Sequence, residues 1–241
     1  MKSFGTLFKG ELIRLARYNI ISAGLFVAAF WIAVLHFSGI SNLTGIFVLV
    51  LLVDTTVMAM LLVGVTMFFE KDEGAIRSLF VSPIKKVEYV LAKSTGNLLS
   101  NVQTLVILYA YARLFRQIDV GLLSLLPAVL LVGLFHCFVG FLVAYRSRDF
   151  TDLLTGIVKY TFVVMLPVAL ESLGLIQNRI LESLMYLLPT KAAITLIAAA
   201  AGEGTPWEIA YSVAYLALGT AVLARFVLAG FDAFAARESG V

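Results

Sequence analysis

The sequence predicts an all-α polytopic membrane protein with six transmembrane helices. Of its 241 residues, 61% are hydrophobic and only 14% charged, with a mean hydropathy of +0.99, far outside the composition of soluble domains. The apolar residues are also gathered into six runs, at 20–37, 43–69, 94–112, 120–145, 153–170 and 207–231, each long enough to cross a hydrocarbon core about 30 Å thick. The connections between them are shorter than the roughly 50 residues that a soluble catalytic domain needs, so 1–241 reads as one membrane domain. The net charge of +3 and pI near 9.0 arise from Lys and Arg at predicted span ends; they indicate topology, and no nucleic-acid partner is expected. Cys137 is the single cysteine, which excludes an intrachain disulfide.

Taken in order, residues 1–19 place Phe4, Leu7, Phe8, Leu12 and Leu15 at helical spacing among Lys2, Lys9, Arg14 and Arg17. That pattern suits a helix lying in the membrane interface; a frayed basic tail that only sets topology is the plainer alternative. The polar lead is long and no small-x-small site follows the first apolar run, so 20–37 is expected to be an uncleaved span. Between the fifth and sixth spans, 171–206 holds two apolar stretches, Ile180 to Leu188 and Ala192 to Ala201, each too short to cross and separated by Pro189. They read as re-entrant or interfacial helices on the outer side. Thirteen of the eighteen Lys and Arg residues fall on the side that carries both termini, which predicts a multi-pass protein of the inner (plasma) membrane with both termini cytoplasmic.

The most informative segment joins spans two and three. Ile76, Leu79 and Phe80 stand at i, i+3 and i+4, so a short helix over 72–80 would present one apolar face while Lys71, Asp72 and Arg77 stay in water. Acidic residues at its start suit the helix dipole, and Ser82 and Pro83 suit the cap and first position of the next helix.

The run Glu70-x-x-Glu73-Gly74, Leu79-x-x-Ser82-Pro83 and Glu88-Tyr89-x-Leu91-x-Lys93 resembles the E-x-x-x-G-T…L-x-x-S-P…E-Y-x-x-x-K pattern of permease subunits of type-2 ABC exporters, with Ala75 where the familiar threonine stands. The six spans, the amphipathic N-terminal helix and Tyr186-Leu187-Leu188-Pro189 extend the resemblance over essentially the whole chain. It is nearest in kind to the short drug- and antibiotic-export permeases, those of fluoroquinolone export among them. The resemblance implies that 72–80 is a coupling helix docking on a cytoplasmic ABC ATPase subunit, through Glu73, Gly74, Ile76, Arg77, Leu79 and Phe80. Apolar docking falls to Ile76, Leu79 and Phe80, and rim contacts to Glu73 and Arg77. An ordinary interfacial loop is the bland alternative. The resemblance also implies a dimer with a second permease copy or a homologous permease, and export by alternating access.

No G-x-x-x-x-G-K-[ST] loop occurs, so this chain is expected to be no enzyme and to bind no cofactor itself; ATP and Mg would sit on the partner ATPase. Within the spans, Asp54 and Lys159 lie well inside the ends of their apolar runs, near the midplane. An ion pair, a shared polar pathway or a purely structural bridge would each relieve the cost of burying them. Glu171, beyond Pro167, is either a solvated interface residue or an outer gate. His36 reads as an interface anchor and His136 with Cys137 as packing, without the further ligands a metal site needs. Arg146, Arg148, Asp149 and Asp152 are expected to set topology and cap a helix. Membrane lipid surrounds the chain, and largely apolar spans with no large outer domain lean toward a small amphipathic or lipid-like cargo. The competing function is a partner-independent secondary transporter or channel that uses Asp54 and Lys159.

Overall fold

The computed structural model describes residues 2–37, 43–76, 84–116 and 120–239, and among these every regular element is a helix. In chain order they are α1 (Lys2–Arg17), α2 (Ile20–Phe37), α3 (Leu43–Asp72), α4 (Lys86–Phe115), α5 (Leu122–Arg146), α6 (Phe150–Ser172), α7 (Arg179–Met185), α8 (Pro189–Ala199) and α9 (Pro206–Ser239). Six of them, α2 to α6 and α9, are long and apolar enough to cross a membrane. The side that carries α1 and the end of α9 is the near face; the opposite side is the far face.

Several helices outrun their apolar stretches. Helix α4 begins at Lys86, eight residues before the apolar run, because charges at the interface end an apolar run without ending a helix. Thirty residues rise about 45 Å, enough for the core and both headgroup layers.

Helix α1 turns into α2 at Asn19, whose φ of 56° is left-handed, a conformation that Asn tolerates better than most residues. Its N–H closes on the carbonyl of Ala16 at 3.1 Å and its own carbonyl accepts from Ala23 N–H at 2.9 Å, so one residue finishes one helix and starts the next.

Helices α3 and α5 occupy the middle of the bundle and are the most deeply buried spans. They cross where Gly140 faces Met60: a Cβ at 140 would lie 2.7 Å from Met60 Cα and 2.9 Å from its carbonyl oxygen. Two apolar cores result. The near one gathers Met60, Met67, Ile76, Tyr89, Phe141 and Phe231, the far one Phe47, Leu51, Leu105, Leu125, Val129 and Ile197. Phe26, Phe162 and Phe226, on α2, α6 and α9, are 61–77% exposed and present the surface that lipid covers.

Both α3 and α6 contain a π-helical turn, at Asp54–Met58 and Thr161–Met165. The two face each other: the Thr56 hydroxyl donates to the Leu52 carbonyl at 2.6 Å and lies 3.3 Å from Met165 Sδ. On the far face, α7 and α8 meet at 90°. Asn178 caps α7 through Ile180 and Leu181 N–H, and Pro189 opens α8. The carbonyls freed at the bend are satisfied by Tyr211 and Tyr215, whose hydroxyls donate to Tyr186 O at 2.7 Å and Leu187 O at 2.8 Å. Helix α8 then runs buried against α3 and α9, and its Thr190 hydroxyl donates to Val164 O inside the second π turn at 2.5 Å.

Candidate functional site

At the near face, three segments deliver four charges to one buried point. Glu11 of α1 is 4% exposed, Glu70 at the end of α3 is fully buried, and Lys93 of α4 is 2% exposed. Lys93 Nζ donates to Glu11 Oε1 and to Thr66 Oγ1, each at 3.1 Å, and pairs with Glu70 Oε2 at 3.1 Å. Arg14 pairs with Glu70 and, at 3.4 Å, with Glu11. The Tyr89 hydroxyl donates to Glu70 Oε2 at 2.6 Å, and the Lys93 ammonium sits 5.6 Å from the Tyr89 ring centre. Two carboxylates and two cations make the cluster formally neutral, the condition under which charges tolerate burial.

The loop that follows is hung from this cluster. Four residues beyond Glu70 the chain leaves α3 at Gly74, whose φ of 69° ends the helix in a left-handed cap, with its N–H on the Lys71 carbonyl at 3.0 Å. Asp72 and Glu73 are exposed, whereas Ile76 is 2% exposed and packed in the near core with Met67, Tyr89 and Phe231. An apolar docking contact for Ile76 therefore needs correcting: its side chain is spent inside this chain, anchoring the loop. Arg77, Leu79, Phe80, Ser82 and Pro83 lie outside the described residues.

Two further contacts brace the loop. Tyr18, from the α1–α2 junction, packs its ring on Phe69 with centres 4.5 Å apart. Burial, with the nearby Glu73 carboxylate adding to it, pushes the Tyr18 phenol up to about 12. Lys71 Nζ donates to Arg148 O at 3.3 Å, so the loop between α5 and α6 leans on the end of α3. There Asp149 caps α6 by accepting from Asp152 N–H at 2.8 Å.

The intramembrane charges do not meet. Asp54, 2% exposed, accepts a hydrogen bond from the Trp31 indole N–H at 3.0 Å, which ties α2 to the first π turn. Lys159 stands on an exposed face of α6, beside a cleft it shares with Arg146 and Asp152. No ion pair joins Asp54 to Lys159 among the described residues; the faces of α3 and α6 that carry them are turned apart. Glu171 is neither free nor solvated: Lys191 Nζ of α8 lies 2.5 Å from its Oε1, both side chains are about five-sixths buried, and Lys191 also covers the Tyr186 ring at 5.3 Å. Beside them Glu208 accepts from the Tyr186 hydroxyl at 2.6 Å and from Thr205 N–H at 2.8 Å, closing the start of α9. His36, exposed at the far end of α2, bonds the Tyr111 hydroxyl at 2.9 Å, and His136, fully buried, bonds the Val132 carbonyl at 2.8 Å as a packing group.

Sequence reasoning missed Glu11 and Arg14 as partners, and it counted Lys93 among the topology-setting surface charges. One signal was present: Glu11 is the only acid in an otherwise basic N-terminal helix, and it has no reason to be there unless a cation meets it.

The sequence matches the fluoroquinolones export permease protein family over residues 3–239. Two curated relatives, both named fluoroquinolones export permease protein, come from Mycobacterium tuberculosis strains CDC 1551 / Oshkosh and ATCC 25618 / H37Rv. Each is 29% identical over 233 residues, covering 96% of this chain and 95% of the relative. With six membrane-crossing helices and a match from end to end, the chain belongs to the fluoroquinolones export permease protein family.

Proposed function

We propose that this chain is the membrane-spanning subunit of an ATP-driven exporter. Both termini are cytoplasmic, a second copy or homologous permease completes the pathway, and the cargo is a small amphipathic compound of the fluoroquinolone kind. The observation that carries the coupling is the buried cluster: Glu70 sits four residues before the Gly74 turn and is held by Arg14 of α1 and by Lys93 of α4. A push on the 72–80 segment therefore moves α1, α3 and α4 as one lever.

The rest of the mechanism follows from where the helices yield. ATP and Mg bind the separate ABC ATPase, whose closure displaces the 72–80 segment. The opposed π turns at Asp54–Met58 and Thr161–Met165 interrupt the regular hydrogen-bond ladder at one depth, so the near halves of α3 and α6 tilt there at least cost. The far end of α6 stays tied to α8 by Glu171–Lys191, the gate that opens last. Glu73, exposed on the rim, and Arg77, Leu79 and Phe80 beyond it make the docking contacts; Gly74 supplies the turn and Ile76 the anchor.

The test is co-expression with the ATP-binding subunit encoded nearby and purification through a tag on this chain, with and without Phe80→Asp. An unpaired charge in an apolar docking groove costs several kcal/mol, so the variant is expected to fold, reach the membrane and lose both ATPase recovery and drug export. Undiminished recovery and export would sink the docking assignment. Stable protein that exports drug with no ATPase attached would instead support a partner-independent transporter.

A further inference from the structure

Helix α2 packs against the far half of α3 and reaches the first π turn through the Trp31–Asp54 bond, and beyond it a lipid-facing groove opens along the near half. One wall carries Ala23 and Gly24 of α2, the other Met58, Leu61 and Val65 of α3, and the floor is α4. The Tyr18–Phe69 ring pair closes the near end. The groove has a volume of about 270 Å³, at the small end of ligand pockets, and none of the residues lining it is ionised.

Its floor is polar where the walls are not. Ser100, Gln103 and Thr104 line it, and their side chains are satisfied only by bonds at the long limit: Ser100 Oγ to Gly96 O at 3.5 Å, Gln103 Nε2 to Ile21 O at 3.4 Å and Thr104 Oγ1 to Ser100 O at 3.4 Å. Asn101 beside them is 2% exposed with neither its amide nitrogen nor its oxygen hydrogen-bonded. Polar groups so placed within a bilayer are costly unless something pairs with them. A lipid tail offers no partner, and a helix of a second copy, about 10 Å across, is too wide for this volume.

We infer that this groove within a single protomer is a binding site for a flat, largely apolar molecule with one or two hydrogen-bonding groups, loaded sideways from the adjoining leaflet. The inference rests on the fluoroquinolone-like cargo reading above and adds where the cargo first binds. The apolar walls take its ring faces, and Gln103 with the two hydroxyls takes its polar edge.

The experiment uses the full chain in phospholipid nanodiscs at pH 6 and, as probe, flumequine, a flat fluoroquinolone with no basic amine, read by the polarisation of its own fluorescence. Gly24→Leu fills the groove, and its Cβ meets nothing closer than Gln103 Nε2 at 3.5 Å, so folding is preserved. Gln103→Leu removes the floor amide and serves as the second variant should the first prove unstable. Each is expected to raise the Kd about tenfold or more, the weight of one lost hydrogen bond or an occupied pocket. Wild-type affinity in both variants overturns the groove and leaves the exporter reading standing. No binding to the wild-type chain overturns the cargo reading and the site together. Phospholipid released from wild type but absent from Gly24→Leu, with flumequine affinity unchanged, makes it a lipid site and overturns the proposal.

Discussion

Replacing Lys93 by Met keeps the length and apolar stem of the side chain and removes one charge from a neutral cluster. The Lys93 side chain is 1% exposed, and three oxygens lie 3.1 Å from its Nζ. Without it, Glu11 and Glu70, at 5% and 0% side-chain exposure, share only Arg14. Breaking a buried pair from one side costs about 3–5 kcal/mol, and for a chain of this size each kcal/mol lowers Tm by about 2–4 °C, so the expected drop is roughly 6–20 °C. The assay is built into the protein. Cys137 is the single cysteine and is fully buried, so a thiol-reactive dye reports unfolding directly. Adding Glu70→Gln to Lys93→Met leaves Glu11 with Arg14 and restores neutrality, so the double variant is expected to recover at least about 2 kcal/mol relative to the sum of the singles. A Lys93→Met melting curve within one degree of wild type, or strict additivity in the double variant, would refute the claim that these charges form one unit.

Two other substitutions test the backbone. Gly140→Ala puts a Cβ 2.7 Å from Met60 Cα, where backbone rather than a flexible side chain has to move; a loss of about 1–3 kcal/mol is expected in the same dye assay, and Gly140→Val should be worse. At Gly74, with φ 69°, Asn should be tolerated and Val should cost about 1–2 kcal/mol more. If the turn must form for coupling, drug export at equal expression should fall about five- to thirtyfold for Val against Asn.

The number and order of the membrane helices were legible because 18 or more apolar residues in a row have few alternatives, and the helix α1 because its apolar residues recur at helical spacing. What pairs across helices was not. Asp54 and Lys159 were matched by depth alone, and depth says nothing about the rotation of α3 and α6, which turns one residue to Trp31 and the other outward. Ile76 failed for a related reason: an i, i+3, i+4 stripe marks a buried face without saying what buries it, and here the near core claims Ile76. The π turns left no trace in composition either. Glu11, Glu70 and Lys93 are separated by 59 and 23 positions, and only the packing of three helices makes them neighbours.

That separation dictates an order of assembly during synthesis. When α3 first enters the bilayer, Glu70 has only Arg14 to meet it, and Glu11 competes for the same guanidinium. The count balances only once Lys93 has left the ribosome, some twenty residues later, and α4 slides in beside its predecessors. Until then the N-terminal helix has no settled berth and the cluster, with Glu11 and Glu70 facing Arg14 alone, is one positive charge short. Ribosomes halted between Glu70 and Lys93 should thus leave α1 open to protease, and those halted a few turns past Lys93, with the exit tunnel cleared, should leave it protected.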